Sequence, residues 1–197
     1  FLGYNGREVL TDGAKLFDSL VEVNRHYQPD GQPVMFDLQV EAEILGCDLV
    51  WADKAPPSVA SHPLAAGLDV PEKLPEAGDG RLPMVLDVMR RMKQAVGDAT
   101  ALYGLICGPF TLASHLRGSD LFLDLYDNPE FTSRLIAYTT AVNRRMADLY
   151  IEAGMDVIAV VDPVVSQISP KHFSALLGGP FREIFSYLRE AGVLSSF

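Results

Sequence analysis

The sequence predicts an α/β fold, a (β/α)8 TIM barrel of which the chain carries only part. Short, near-continuously apolar strands alternate with amphipathic helices, the pattern of βαβ units in a parallel sheet. Neither Gly-x-Gly-x-x-Gly nor Gly-x4-Gly-Lys-[Ser/Thr] occurs, which favours a barrel over the dinucleotide-binding sheets that share this alternation. The 197 residues fall short of the roughly 250 that a complete eight-stranded barrel needs. The chain opens at Phe1 without an initiator Met. It closes inside the apolar run Val193-Leu194-Ser195-Ser196-Phe197, where another strand should open. Both ends are therefore expected to be cut, leaving residues 1–197 as one incomplete barrel domain, roughly its N-terminal half to two-thirds.

The elements follow in order. A helix is expected from about Arg7 to Gln28, with Leu16, Phe17, Leu20, Val23, Asn24 and Tyr27 near helical spacing, until Pro29-Asp30-Gly31 breaks it. Pro33 to Leu38 reads as a buried strand, Val40 to Leu45 as a brief helix ended by Gly46, and Asp48 to Ala52 as a second short strand. Residues 54–82 are rich in Pro, Gly and Asp and lack a period, as functional or mobile loops do. Pro83 at N1 starts a helix whose apolar face is Met84, Val88, Met89, Met92 and Val96, with Gly97 at its end. Ala101 to Cys107 is a strand that runs into Gly108-Pro109 and a short helix, Thr111 to Leu116. The acidic run Asp120 to Asp127 reads as a solvated face. Asn128 as N-cap, Pro129 at N1 and Glu130 open the clearest helix, with Phe131, Leu135, Tyr138, Val142, Met146 and Leu149 as its buried stripe and Gly154 as its stop. Met155 to Pro163 is a strand covered on both faces. Ser169-Pro170 caps the next helix, which Gly178-Gly179-Pro180 is expected to break before Gly192.

Composition narrows the function. A net charge of −10 and a pI near 4.7 argue against nucleic acid, whose phosphates need a basic face, and against an anionic membrane surface. No apolar run reaches the 18 or more residues of a spanning helix, and no secretion signal opens the chain. Cys47 and Cys107, 60 positions apart, form no metal-type pair and read as buried free thiols. A cytoplasmic setting is expected.

Barrel chemistry sits at the C-terminal ends of the strands and in the loops after them. That rule selects Asp37, then Gly108-Pro109-Phe110 with His115 one turn into the helix, then Asp162-Pro163 with Ser166 and Gln167. Asp37 could instead cap the helix from Val40. The functional reading stands ahead because an acid directly after an apolar strand is costly to bury without a partner. His115 is equally readable as a helix-surface histidine, and Asp162 as a cap or as an acceptor for a neighbouring backbone N–H. His62 reads as structural or solvated, His26 and His172 as ordinary. No His-x-Cys, His-Glu-x-x-His, Cys-x-x-Cys or Gly-x-Ser-x-Gly occurs, so no metal ligand set or serine nucleophile is assigned. The residues alone give a barrel enzyme with acidic groups at its strand tips.

At these same tips, MFDLQVEAEILGCDL (Met35 to Leu49), LICGPFTLASHLRG (Leu105 to Gly118) and EAGMDVIAVVDPVVSQISPKHF (Glu152 to Phe173) together resemble the uroporphyrinogen decarboxylase superfamily, over nearly the whole chain from Arg7. The resemblance implies a (β/α)8 barrel and either of two activities. In the decarboxylases an Asp at the place of Asp37 contacts the pyrrole N–H groups of the tetrapyrrole. A carboxylate suits that task because, ionised, it only accepts. Two departures point to the corrinoid-dependent methyltransferase branch: His115 stands where decarboxylases carry Tyr, and Pro163 where they carry Ser. The Gly-Pro-Phe-Thr-Leu-Ala form and the Asp-Pro turn point the same way. That branch moves a methyl group between a corrinoid and a thiol, or from a methoxylated or methylamine-type donor, with zinc held by a His-x-Cys and a distant Cys. The first of those ligands would follow the strand starting at Val193, so no cofactor is expected within this chain. Zinc and a corrinoid protein as partner are expected for the full-length protein. Uroporphyrinogen decarboxylase is the alternative, and a non-catalytic corrinoid- or tetrapyrrole-binding barrel a second one. On this reading Asp37 and His115 are catalytic, and Gly108, Pro109, Phe110, Asp162, Ser166 and Gln167 bind substrate. Decarboxylase-type relatives are often dimers, which makes a homodimer an expectation of the resemblance, although no residue here marks an interface.

Overall fold

The computed structural model describes residues 2–197. Helix α1 (Gly6–Thr11) opens with a capping box between Asn5 and Glu8. Asp12 then ends it, and its carboxylate accepts from the N–H groups of Ala14 and Lys15 at 2.9 and 3.1 Å to start α2 (Gly13–Tyr27). The single helix expected over Arg7–Gln28 is therefore two, because Asp12 holds extended backbone at the joint. Strand β1 (Gly31–Met35) stops earlier than the expected Leu38, since an irregularity between Pro33 and Met35 turns the chain out of register and leaves Phe36 60% exposed.

Helix α3 (Val40–Ile44) follows. The second expected barrel strand is not one. Its residues form β2 (Leu49–Val50), which pairs antiparallel with β3 (Ser58–Val59) in a small hairpin outside the main sheet. The loop onward to residue 81 is pinned by side chains that satisfy its backbone. Arg117 donates to the carbonyls of Leu64, Ala65 and Gly67 at 2.5–3.1 Å, Tyr138 Oη to that of Lys73 at 2.7 Å, and Arg145 to that of Pro75 at 3.1 Å.

Helix α4 (Leu82–Val96), strand β4 (Ala101–Cys107) and helix α5 (Pro109–Arg117) come next. The acidic run is a helix, α6 (Asp120–Asp127), with Asp120 and Asp127 on its solvated face as expected and Asp124 turned inward. Leu121 is wholly buried, and Asp124 takes the Arg117 Nε–H at 2.6 Å. In α7 (Pro129–Glu152) the Asn128 side chain turns away from its cap position to Asp124 instead, at 2.7 Å. After β5 (Val157–Val161) a 3-10 turn over Pro163–Gln167 leads to α8 (Pro170–His172), which Ser169 caps as expected. A π-type turn over Phe173–Leu177 follows, and α9 (Gly178–Glu190) begins at the glycine pair expected to break the helix. Pro180 is tolerated there because a first-turn residue has no intrahelical N–H bond to lose. Finally β6 (Leu194–Ser196) supplies the strand foreseen at the chain's end.

The sheet is parallel throughout, in the order β1-β4-β5-β6. Leu102 and Ile106 of β4 and Ile158 and Val160 of β5 point to one face and are wholly buried under the helices. Gly104 lies among them because a Cβ there would sit 2.8 Å from the Tyr150 ring of α7. On the opposite face Leu105, Cys107 and Val157 are buried, Tyr103, Ala159 and Val161 are only partly covered, and Leu194 is 69% exposed. The result is α/β architecture in the form of an incomplete barrel wall, helices outside and inner face open.

Pairing between β1 and β4 ends at Gly104, so the N–H of Cys107 has no strand partner on that side. Glu41 of α3 fills the gap: its Oε1 accepts from Cys107 N–H at 2.8 Å while its Oε2 stays buried without a partner. Burial outweighs that hydrogen bond and pushes the carboxyl up to about 7. An unfolded Glu ionises near its ordinary value, so this group's contribution to stability falls as pH rises from about 4.5 to about 7 and is level above. Glu41→Gln keeps an acceptor for Cys107 and removes the ionisation. The variant should gain on the wild type by an amount on the order of 2–3 kcal/mol between pH 4.5 and 8. Denaturant unfolding at the two pH values measures this, and parallel pH profiles would contradict it.

Candidate active site

Asp37 lies two residues past β1. Its Oδ1 accepts from the N–H of Gln39 at 2.9 Å, which forms the turn into α3. Its Oδ2 is 2.7 Å from Nη1 of Arg81, close enough for strong attraction but off the line of a hydrogen bond, and the side chain has no exposed surface. Arg81 stands just before α4 and gathers several segments. Its Nε donates to Glu43 Oε2 at 2.6 Å, its Nη1 to the Leu10 carbonyl at 3.1 Å, and its guanidinium lies 5.0 Å from the Trp51 ring centroid. Asp37 is marked by its place after an apolar strand, whereas Arg81 carries no such mark in the sequence. The available signal was the cost of burying an acid, which demands a cation nearby.

Asp162 ends β5 and is buried against the start of α5. Its Oδ2 accepts from Phe110 N–H at 2.9 Å, and its Oδ1 from Thr111 N–H at 2.8 Å and Thr111 Oγ1–H at 2.5 Å. These are first-turn N–H groups without intrahelical partners, and the positive end of the helix favours an anion there. Burial raises the Asp162 carboxyl, with the Thr111 and Phe110 hydrogen bonds pulling against it. Gly108 is required at this joint, since a Cβ would lie 2.3 Å from Asp162 Cβ. Pro109 fills the first helical position and Phe110 is wholly buried. Ser166 is exposed and donates to the Pro163 carbonyl at 2.8 Å.

His115 is half-buried on α5. Its carbonyl oxygen is 2.7 Å from His62 Nδ1, which places the proton on that nitrogen because a carbonyl only accepts. Its own Nδ1 is 3.9 Å from Cys107 Sγ. Burial, then the neighbouring His62, lowers its pKa to about 4, so the ring is neutral at pH 7. A cavity of about 400 Å³ opens here at the C-terminal ends of the strands, lined among others by Gln39, Ser58, His62, His115, Ser119 and Gln167. The structure thus brings His115 and Gln167 together in one cavity, and sets Asp37, Phe110, Asp162 and Ser166 outside its lining. His62, Gln39 and Ser119 are additions, made neighbours of His115 only by the hairpin, the turn after β1 and the close of α5.

Among the described residues no group of three or more His, Cys, Asp or Glu is placed to hold a metal ion. Burial pushes the Cys47 thiol up to about 12 and the Cys107 thiol well above its ordinary value, away from the thiolate a zinc site needs. These residues do not fit a zinc centre of their own.

Comparison with known proteins adds the relatives. Methylcobamide:CoM methyltransferase MtbA of Methanosarcina acetivorans is 31% identical over 156 residues, 78% of this chain and 44% of that protein. Methylcobamide:CoM methyltransferase MtaA of Methanosarcina barkeri is 32% identical over 174 residues, covering 80% and 48%. Uroporphyrinogen decarboxylase of a Sulfurovum species is 27% identical over 168 residues, covering 81% and 48%. The chain spans about half the length of the curated relatives it matches. Among solved structures, a methyltransferase from Methanosarcina mazei superposes with a TM-score of 0.88 over 98% of this chain and 58% of that one, at 23% identity, and so shares the fold. The sequence profile of uroporphyrinogen decarboxylase (URO-D) matches residues 2–195, and the chain, with its parallel strands and strand-tip acids, belongs to that family.

Proposed function

We propose that the protein is a methyltransferase of this family, moving a methyl group between a corrinoid and a thiol or a methoxylated or methylamine-type substrate, with a corrinoid protein as partner. One observation carries the choice over decarboxylation. A decarboxylase needs a carboxylate open to converging pyrrole N–H donors, whereas Asp37 has no exposed side-chain surface and is held by Arg81 and Gln39. The two methylcobamide:CoM methyltransferases, 31% and 32% identical, support the same side. A neutral His115, able to donate and to accept, and the Gln167 amide form the substrate-facing pair. Gly108, Pro109, Phe110 and Asp162 act beneath them by holding the β4 and β5 tips in register. Zinc, which activates the thiol as a thiolate in this branch, enters the reading through the resemblance alone, as does a homodimer. A cytoplasmic setting accords with two free, buried cysteines.

Two tests bear on this. The full-length protein, mixed with methylcobalamin and coenzyme M, should consume the methylcobalamin absorbance with formation of the thioether, and should leave uroporphyrinogen unchanged. Coproporphyrinogen in the second assay would overturn the assignment, and corrinoid binding without turnover would favour a carrier.

The ion pair itself is testable by a double-mutant cycle. Asp37→Asn strands a mostly buried guanidinium and should lower stability by an amount on the order of 3 kcal/mol. Adding Arg81→Met should recover a good part of that loss. Strictly additive losses would show that the two side chains do not support one another.

A further inference from the structure

Among the described residues, no Asp, Glu, Lys or Arg lines the cavity beside His115, in a chain of net charge −10. Apart from Ser114, whose hydroxyl donates to the Thr111 carbonyl at 2.7 Å, its polar groups are of a single kind: the amides of Gln39 and Gln167, the hydroxyls of Ser58 and Ser119 and the imidazoles of His62 and His115 can each give and accept a hydrogen bond while uncharged. Two of them stand where their side chains would ordinarily be used up. Gln39 and Ser119 hold the N-cap positions of α3 and α6, yet neither side chain caps its helix. Serine is among the residues best suited to capping. Its hydroxyl is left for another partner, as is the Gln39 amide. His62 keeps its proton on Nδ1, toward the His115 carbonyl, and so presents Nε2 as an acceptor.

Resting on the methyltransferase reading, we propose that this cavity is a subsite for the primary-amide side chains on the rim of a corrin ring. A glutamine side chain is itself a primary amide, so Gln39 and Gln167 can each meet an amide arm through a donor and an acceptor at once. A carboxylate offers only acceptors. In this cavity it would face glutamine carbonyl oxygens and, with the His62 proton on Nδ1, the Nε2 lone pair, with no Lys or Arg among the lining residues to offset them. The lining therefore selects against the acid-rimmed tetrapyrroles and for the amide-rimmed ones. A volume of about 400 Å³ suits one or two arms and leaves the macrocycle outside, above the strand tips.

The test measures binding directly. Cyanocobalamin, whose ring amides are intact, and a cyano-corrinoid with those amides hydrolysed to acids are each titrated into the full-length protein. The imidazole signals of His62 and His115 are followed by NMR and the affinity by calorimetry. The amide form should bind at least about tenfold more tightly, a difference near 1.4 kcal/mol, and should move both imidazole signals. Gln167→Glu, a change at an exposed position, should weaken the amide form by a similar factor and leave the fold intact by circular dichroism. Equal or tighter binding of the acid form, unmoved histidine signals, or an unchanged affinity in Gln167→Glu would each overturn the subsite. Methyl transfer from free methylcobalamin, run on the same samples, separates the two levels. Turnover with unmoved histidines sinks the subsite alone, whereas absence of both binding and turnover sinks the methyltransferase reading with it.

Discussion

The contact on which the candidate site depends is the carboxylate of Asp162 laid across the first turn of α5. Its three hydrogen bonds to Phe110 and Thr111 join the tip of β5 to the helix that leaves β4. This fixes where α5 begins, and with it where His115 sits. The joint also explains the local sequence. Only glycine fits at position 108 under the Asp162 side chain, and Thr111 supplies both a donor to Asp162 and an acceptor for the Val164 N–H at 3.1 Å. An acid whose burial raises its pKa is held here because helix N–H groups, themselves otherwise unpaired, converge on it.

Around that joint the other buried acids do comparable structural work. Glu41 finishes the edge of β4 beyond the reach of β1, and Asp124 holds Arg117, which in turn pins the long loop through three carbonyls. Asp37 with Arg81 ties the turn after β1 to the start of α4. Each of these contacts ties a strand tip or a loop to a helix, and in a low-dielectric setting such polar contacts are directional in a way that apolar contact is not.

Much of the architecture was legible in the sequence, because it rests on local signals. Apolar continuity marked β4 and β5, Pro at the first turn and Gly past the last marked α7, and the strand at 194–196 followed from an apolar run after Gly192. What misled was any feature decided by distant residues. The residues of β2 have strand composition, but nothing in them says that they pair backward with Ser58–Val59 rather than sideways into the sheet. Within the run Asp120–Asp127 only Asp124 departs from the solvated face, and nothing local shows that Arg117 stands beside it. In the same way Asp37, His115 and Gln167 could be named from the rule that chemistry sits at strand tips. His62 and Gln39, beside His115, and Arg81, beside Asp37, could not, since only the folded loop and turns carry them there.

Taken together, the placement of charge divides the labour at the strand tips. The acids singled out by sequence are turned inward, onto backbone N–H groups and Arg81, and the surface left to a ligand is lined by glutamine, serine and histidine. In a chain with 26 acidic against 16 basic residues, an uncharged cavity is a selective feature, because the surrounding field already opposes anions. His115 reinforces this: at a pKa near 4 it stays neutral throughout the physiological range and does not become the cation an acidic substrate would need. The same residue is thereby suited to orient a neutral group by one donated and one accepted hydrogen bond. On the proposed methyltransferase reading, that is the chemistry asked of a site which positions a methyl-carrying cofactor rather than one which gathers carboxylates.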